Sequence, residues 1–184
     1  RGGPSGPATI PAWTAEGNES GAAFGSAAAT AGDVNGDGYA DVVVGSPGFG
    51  AGQGRAVLYL GGPAGLATTP AWVFAPTGTG AQVGAAVAAA GDVNGDGYSD
   101  VIVGAWQFSD PGTLEVEGRA FVFLGSSAGL ATSPAWTGEG NQADARYGWS
   151  VGTAGDVNGD GYADVIIGAP GYGDGEAGEG RVLV

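Results

Sequence analysis

Residues 33–41 read Asp-Val-Asn-Gly-Asp-Gly-Tyr-Ala-Asp, and this string recurs with one substitution at 92–100 and unchanged at 156–164. Each copy places Asp or Asn oxygens at its first, third and fifth positions, and closes with a further Asp. Each copy also opens into an apolar run of β-forming residues, such as Val42–Val44. The three copies, called the Asp-rich loops below, therefore predict a cation-binding loop and a repeated β unit together.

The sequence around the loops repeats as well. Gly54–Leu60 matches Gly118–Leu124, and Gly180–Val184 begins the same run. Pro70-Ala-Trp72 matches Pro134-Ala-Trp136 and Pro11-Ala-Trp13. Gly, Pro and Asn separate these runs, as hairpin turns require. In the first repeat the pattern predicts strands at Ala22–Ala31, Asp41–Ser46, Gly54–Leu60 and about Ala71–Ala75.

A repeating four-stranded unit is typical of a β-propeller blade. We therefore predict an all-β protein, a β-propeller of four-stranded antiparallel blades with three repeats in the chain. The repeats lie approximately at 14–75, 76–137 and 138–184, the last closed by residues 1–13, and 1–184 form a single propeller segment. Propellers usually contain 4–8 blades. We expect a homodimer, in which copies of the chain complete a six-bladed ring, or alternatively a segment excised from a longer propeller.

Composition excludes several classes of function. The 184 residues include 41 Gly and no His, Cys or Met, and the formal net charge is −14. Without Cys and His, disulfides, thiolate metal sites and His-dependent catalytic triads are excluded. Five scattered basic residues cannot form a nucleic-acid-binding patch, and no run is long and apolar enough for membrane insertion. Oxygen-only metal sites suit an extracellular, cell-surface or periplasmic setting.

The oxygen pattern of the loops predicts Ca²⁺, three ions per chain. Hard anionic oxygens favour Ca²⁺ over transition metals, and Mg²⁺ tends to keep several waters. The closing Asp at the ninth position and the flanking strands argue against an EF-hand. The alternative is that Asx-Gly turns alone shape the hairpins. The predicted ligands are the side chains of Asp33, Asn35, Asp37 and Asp41 with the Tyr39 carbonyl; Asp92, Asn94, Asp96 and Asp100 with Tyr98; and Asp156, Asn158, Asp160 and Asp164 with Tyr162.

The loops on the opposite edge of the blades vary most in sequence and are candidate recognition surfaces. The longest contains Trp106, Phe108, Asp110, Glu115 and Glu117, which form a possible ligand face. The alternative is that Trp106 packs beneath its own loop. Residues that recur at matching positions are expected to be structural: the Trp residues in blade packing (Trp13, Trp72 and Trp136) and the Arg residues in pairs with an acid (Arg55, Arg119 and Arg181).

Phe24-Gly25 before the first loop and Gly168-Ala169-Pro170 after the third make the chain resemble the FG-GAP repeat of integrin α-subunit propellers and their bacterial relatives. The resemblance covers nearly the whole chain, although Val83 and Tyr147 stand where the pattern has Phe. It implies a seven-bladed propeller with calcium loops on one face and adhesion or ligand binding on the other, whereas three repeats fall short of seven blades.

Several functions remain open at this point. The first is a non-catalytic, calcium-stabilised adhesion or protein-interaction module, whose partner is an extracellular protein or glycan. A carbohydrate-binding propeller and a self-assembling structural fragment are the alternatives. An enzyme that uses carboxylates is disfavoured, because nine of the 19 acidic residues lie in the repeated loops.

Overall fold

The computed structural model describes residues 8–76, 80–109, 116–176 and 178–184. They form three antiparallel sheets, one after another along the chain, as in the predicted blades. The first sheet contains β1 (Ala27–Gly32), β2 (Asp41–Ser46), β3 (Arg55–Tyr59) and β4 (Trp72–Phe74), with a single helical turn, α1 (Phe49–Gly52), between β2 and β3. The second contains β5 (Ala86–Gly91), β6 (Asp100–Ala105), β7 (Arg119–Phe123) and β8 (Trp136–Glu139). The third contains β9 (Ser150–Gly155), β10 (Asp164–Ala169) and β11 (Arg181–Leu183).

The predicted strands agree with the first sheet except at its start. β2 has the predicted bounds, and β3 and β4 lie inside the predicted ranges. The first strand begins at Ala27 and not at Ala22, because the preceding residues form a turn. In that turn Ala23 and Gly25 have φ values of 52° and 85°, in the left-handed region. The Ser26 amide donates a hydrogen bond to the Ala23 carbonyl at 3.1 Å.

The sheets pack face to face, with the innermost strands β1, β5 and β9 as successive neighbours. Val43, Ala56 and Leu58 of the first sheet are buried against the second. Ile102, Ala120 and Val122 of the second sheet are buried against Ile167 and Ala169 of the third. The second strand of a covered sheet is thus enclosed on both faces, which explains its nearly continuous Val and Ile content.

Residues 8–24, the N-terminal segment, form no β-strand and lie against the first sheet. Trp13 packs edge-on to Tyr59, and its indole N–H donates to the Ala67 carbonyl at 2.8 Å. The third sheet has three strands among the described residues. Its closure by residues 1–13, the first seven of which lie outside the described residues, stays a prediction.

Candidate functional site

The first Asp-rich loop is folded by its own polar side chains. Asp33 accepts hydrogen bonds from three backbone amides, those of Gly36 and Asp37 to Oδ1 (2.7 and 3.1 Å) and that of Gly38 to Oδ2 (2.8 Å). Asp37 Oδ1 accepts from the amide of Tyr39 at 2.9 Å. The second and third loops repeat these bonds, so all three adopt one conformation.

The closing Asp ties each covered loop to the connection after the third strand. Asp41 is fully buried, and its Oδ2 and Oδ1 accept from the amides of Val34 (2.9 Å) and Gly61 (2.8 Å). Asp100 is buried in the same way and accepts from Val93 and Gly125. The Asp-rich loops and the connections that follow β3 and β7 therefore share one edge of the blades, as strand alternation predicts.

Burial raises the pKa of the Asp41 carboxyl above its ordinary value. The hydrogen bonds from Gly61 and Val34 act in the opposite direction, and the neighbouring carboxylates of Asp37 and Asp33 raise the pKa further. The pKa of Asp100 is raised for the same reasons. Negative charge is thus crowded in these two loops without a compensating side chain among the described ion pairs.

The third loop has the same bonds but a different environment. Asp164 is only partly buried and accepts from the amide of Val157 at 2.9 Å. Hydrogen bonds from backbone amides, the one from Gly161 foremost, lower the pKa of the exposed Asp156 carboxyl. The following blade contacts each of the first two loops through a Tyr ring, whereas among the described residues Gly159 of the third loop has no such neighbour.

Neighbouring loops also contact each other directly. The Ser99 amide donates to the Asp33 carbonyl at 3.0 Å, which links the second loop to the first. A Cβ atom on Gly36 would lie 2.7 Å from the Tyr98 ring, and Tyr162 covers Gly95 in the same way at 2.8 Å. In the first two loops, the Gly at the fourth position therefore leaves the space in which the Tyr ring of the next loop packs. Sequence analysis missed this role, and the recurrence of that Gly was the available signal.

The donor set of each loop fits a hard cation. Three carboxylates, one carboxamide and one backbone carbonyl lie within nine residues, and all of them offer oxygen. Such donors and a charge near −3 suit Ca²⁺. Within the described residues, however, no three acidic side chains converge as a preformed metal cluster. The case for Ca²⁺ in these loops therefore rests on the type of donor atoms and on their charge.

The opposite edge carries an aromatic patch, formed by Trp106, Arg146 and Trp149. The two indole rings pack edge to face with centroids 4.7 Å apart, and Trp149 is 46% exposed. The Arg146 guanidinium lies 5.8 and 5.9 Å from the two rings. Trp106 was a predicted candidate, whereas Trp149 was missed, although it replaces the small residues Ser26 and Ala85 of the other repeats.

The other predicted ligand-face residues lie elsewhere or outside the described residues. Phe108 is partly buried near Phe121 and lies beneath the Arg119 guanidinium at 4.0 Å, which is a packing position. Glu117 is partly buried, and its carbonyl accepts from the Tyr147 amide. Asp110 and Glu115 lie outside the described residues.

The recurring Arg residues stack on aromatic rings next to β3, β7 and β11. Their guanidinium carbons lie 3.6–4.0 Å from the ring centroids of Phe49, Phe108 and Tyr172. The predicted acid partner is present for Arg119, which pairs with Glu139, and for Arg181, which lies 3.6 Å from Asp174. Arg55 instead donates to the Gly17 carbonyl at 3.2 Å.

In the described ranges, no helix has the length and apolar character needed to cross a bilayer.

Comparison with known proteins gives consistent matches. Residues 24–59, 83–123 and 147–184 match the family described as FG-GAP repeat. Integrin alpha-PS2 of Drosophila melanogaster is 36% identical over 163 residues, covering 83% of this chain and 11% of the relative. Integrin alpha-IIb of Homo sapiens is 34% identical over 150 residues, covering 76% and 14%. Phosphatidylinositol-glycan-specific phospholipase D of Bos taurus is 36% identical over 158 residues, covering 78% and 18%. The chain thus spans a small part of the length of these relatives.

Proposed function

The chain belongs to the FG-GAP repeat family, and on that premise we propose that it is a calcium-stabilised, non-catalytic propeller module for extracellular adhesion or protein interaction. The observation that carries the proposal is the occurrence of three Asp-rich loops of one conformation on one edge of successive blades. That arrangement leaves the opposite edge for recognition. The proposed setting is extracellular, cell-surface or periplasmic.

Each loop would hold one ion, which gives three per chain. The first, third, fifth and ninth side chains and the Tyr carbonyl of each loop, the residues predicted from the sequence, are the proposed ligands. Bound calcium would supply positive charge to the three carboxylates of each loop. Burial is the main cause of the raised pKa of Asp41 and of Asp100, and the other carboxylates of each loop raise it further, which supports this need.

The distribution of perturbed carboxyl groups supports a non-catalytic role. Perturbed groups in a cleft are candidates for acid–base catalysis. Among the described residues, the carboxyl groups with a shifted pKa are Asp41, Asp100 and Asp156, and all three belong to the repeated loops. They are accounted for by loop structure and by the proposed metal.

Calorimetric titration of the chelator-treated protein with calcium tests the metal proposal. We expect three sites per chain and a melting temperature that falls when EDTA is added, because ligand that binds only the folded state stabilises it. A variant with Asp156→Asn and Asp160→Asn should keep two sites. Glu176→Gln, which removes one charge outside the loops, should keep three. Absence of binding heat with an unchanged melting temperature would refute the proposal.

Carbohydrate binding is the second candidate function, and the aromatic patch favours it. An exposed indole ring provides flat apolar surface, and Trp149 is 46% exposed. Binding of the protein to a glycan array, followed by loss of the signal in Trp149→Ala, would support this function. An array without signal would leave a protein partner as the proposal.

A further inference from the structure

One position of the Asp-rich loops differs between the repeats. The eighth loop residue is Ala40 in the first loop and Ala163 in the third, but Ser99 in the second. Ser99 lies between two proposed calcium ligands of its own loop, the Tyr98 carbonyl and the Asp100 carboxylate. A substitution at this position therefore changes the surroundings of the ligands without changing any of them.

Ser99 holds the backbone of the first loop by two hydrogen bonds. Its amide donates to the Asp33 carbonyl at 3.0 Å, and its Oγ accepts from the Asp33 amide at 3.2 Å. A Cβ atom on Gly32 would overlap the Ser99 Oγ, so this glycine leaves the space that the hydroxyl occupies. Asp33 is itself a proposed ligand. From the second blade, Ser99 thus fixes the peptide groups on both sides of a ligand in the first loop.

The contact between the second and third loops has one of these two bonds. The Ala163 amide donates to the Asp92 carbonyl at 2.9 Å, but Ala163 has no hydroxyl that could accept from the Asp92 amide. Both contacts lie between two described blades. The difference between them therefore comes from the eighth loop residue and not from the ends of the chain.

A second path joins the closing carboxylates of the first two loops. The Val34 amide donates to the Asp41 carboxylate at 2.9 Å, and the Val34 carbonyl accepts from the Ser126 amide at 3.0 Å. The preceding residue, Gly125, donates its amide to the Asp100 carboxylate at 2.8 Å. Val34 and both carboxylates are fully buried. A shift of either carboxylate is therefore passed to the other loop through hydrogen-bonded backbone.

We propose that Ser99 couples the first and second loops, so that calcium bound at one loop raises the affinity of the other. The inference rests on the proposed function, because it concerns the regulation of the same sites. A loop that binds an ion loses conformational freedom, and a neighbour that is already ordered loses less when it binds in turn. The two hydrogen bonds to Asp33 transmit this order. The first two loops then act as a pair, to which the third is linked more weakly.

Charge acts in the opposite direction. The three carboxylates of each loop attract cations to its neighbour, and a bound ion reduces the charge of its loop from about −3 to about −1. Filling one loop therefore weakens the electrostatic attraction of calcium to the other. Salt screens this effect, with a Debye length of about 3 Å at 1 M, whereas the backbone hydrogen bonds remain. The coupling through Ser99 should therefore be clearest at high salt.

Calorimetric titration with calcium in about 1 M NaCl measures the coupling. A loop is disabled by changing its first and fifth residues to Asn, which for the third loop means Asp156→Asn with Asp160→Asn. In the first loop these changes spare the backbone groups of Asp33 that contact Ser99. The product of the two binding constants in a protein with two active loops, divided by the product of the constants in the two single-loop variants, gives the coupling factor.

We expect a factor of about ten for the first and second loops, within the usual range for coupled sites. Ser99→Ala keeps the amide bond and removes the Oγ bond, so it should lower this factor to that of the second and third loops. Ala163→Ser should raise the factor for the second and third loops. A factor of one in the natural background, or a factor that Ser99→Ala leaves unchanged, would overturn the coupling.

Ser46→Ala is the matched control for a general loss of stability. Ser46 is fully buried and donates to the Ala22 carbonyl at 2.9 Å, outside the Asp-rich loops. The other repeats have Ala105 and Ala169 at this position, so the fold accepts the change. Ser46→Ala should lower the melting temperature and leave the coupling factor unchanged. An equal fall of the factor in Ser46→Ala and Ser99→Ala would overturn the specific role of Ser99.

Hydrogen exchange in EDTA gives a readout without metal. Ser99→Ala should speed exchange of the Asp33 amide several-fold, because that amide loses its acceptor, while Ser46→Ala should not. Equal exchange of the Asp33 amide in the natural chain and in Ser99→Ala would contradict the hold of Ser99 on the first loop. A natural chain that binds no calcium would overturn the proposed function and the coupling together, whereas calcium binding by independent loops would overturn the coupling alone.

Discussion

The second and third blades have almost the same second strand and yet bury it differently. β6 reads Asp-Val-Ile-Val-Gly-Ala and is buried at every residue, whereas β10 reads Asp-Val-Ile-Ile-Gly-Ala and is buried at two. Ile102 is fully buried, and its counterpart Ile166 is 37% exposed. The closing Asp follows the same trend, since Asp100 is fully buried and Asp164 is partly exposed.

The comparison shows that burial of the second strand depends on the neighbouring blade and not on the sequence of the strand itself. A repeat protein is stabilised by its units and by the interfaces between adjacent units. Matched substitutions in the second and third blades therefore separate the contribution of the strand from that of the interface. These comparisons are best made at concentrations where copies of the chain do not associate.

Ile102→Ala should have the largest effect. We expect it to lower the free energy of unfolding by about 2–5 kcal/mol, the usual range for deleting a buried aliphatic side chain. Ile166→Ala should cost less than about 1 kcal/mol, because its side chain already contacts solvent. Urea denaturation followed by circular dichroism measures both. Equal losses at the two positions would contradict the assignment of burial to the adjacent blade.

Asp100→Ala should have the next largest effect, measured in EDTA so that metal does not contribute. We expect a loss of about 2–4 kcal/mol, because the Val93 and Gly125 amides lose their acceptor and buried donors are costly when unpaired. Among the described hydrogen bonds, the Asp164 carboxylate accepts only from the Val157 amide, and its loop is exposed. We therefore expect Asp164→Ala to lower the free energy of unfolding by about 1 kcal/mol or less. A larger loss of stability for Asp164→Ala than for Asp100→Ala would show that burial of the closing Asp does not determine its contribution to stability.

The comparison also separates what sequence can predict from what it cannot. Alternating Asp and Asn oxygens and Val/Ile runs give local signals, and for this reason β2 has its predicted bounds and each Asp-rich loop connects the first two strands of its blade. Metal binding by the loops stays a prediction. The start of β1 was predicted wrongly, because Ala22 and Ala23 suit a small-residue strand and nothing in them signals the left-handed turn. The aromatic patch joins Trp106 to Trp149 across two blades, and such proximity is visible only after the blades are packed.

The smallest expected effect concerns alkaline pH and the two interfaces between blades. Burial raises the pKa of the Tyr147 phenol, which is 5% exposed at the second interface, whereas the first interface has Val83 at this position. In the unfolded chain the phenol ionises near its ordinary pKa of about 10, while the folded protein keeps it neutral. The contribution of the neutral group is therefore complete below that pKa and is lost progressively as pH rises through and above it. Between about pH 9 and pH 11, Tyr147→Phe should lose less stability than the natural chain in urea denaturation. Parallel pH profiles for the two proteins would show that the buried phenol is not linked to unfolding, and would place the alkaline sensitivity of the second interface on other groups.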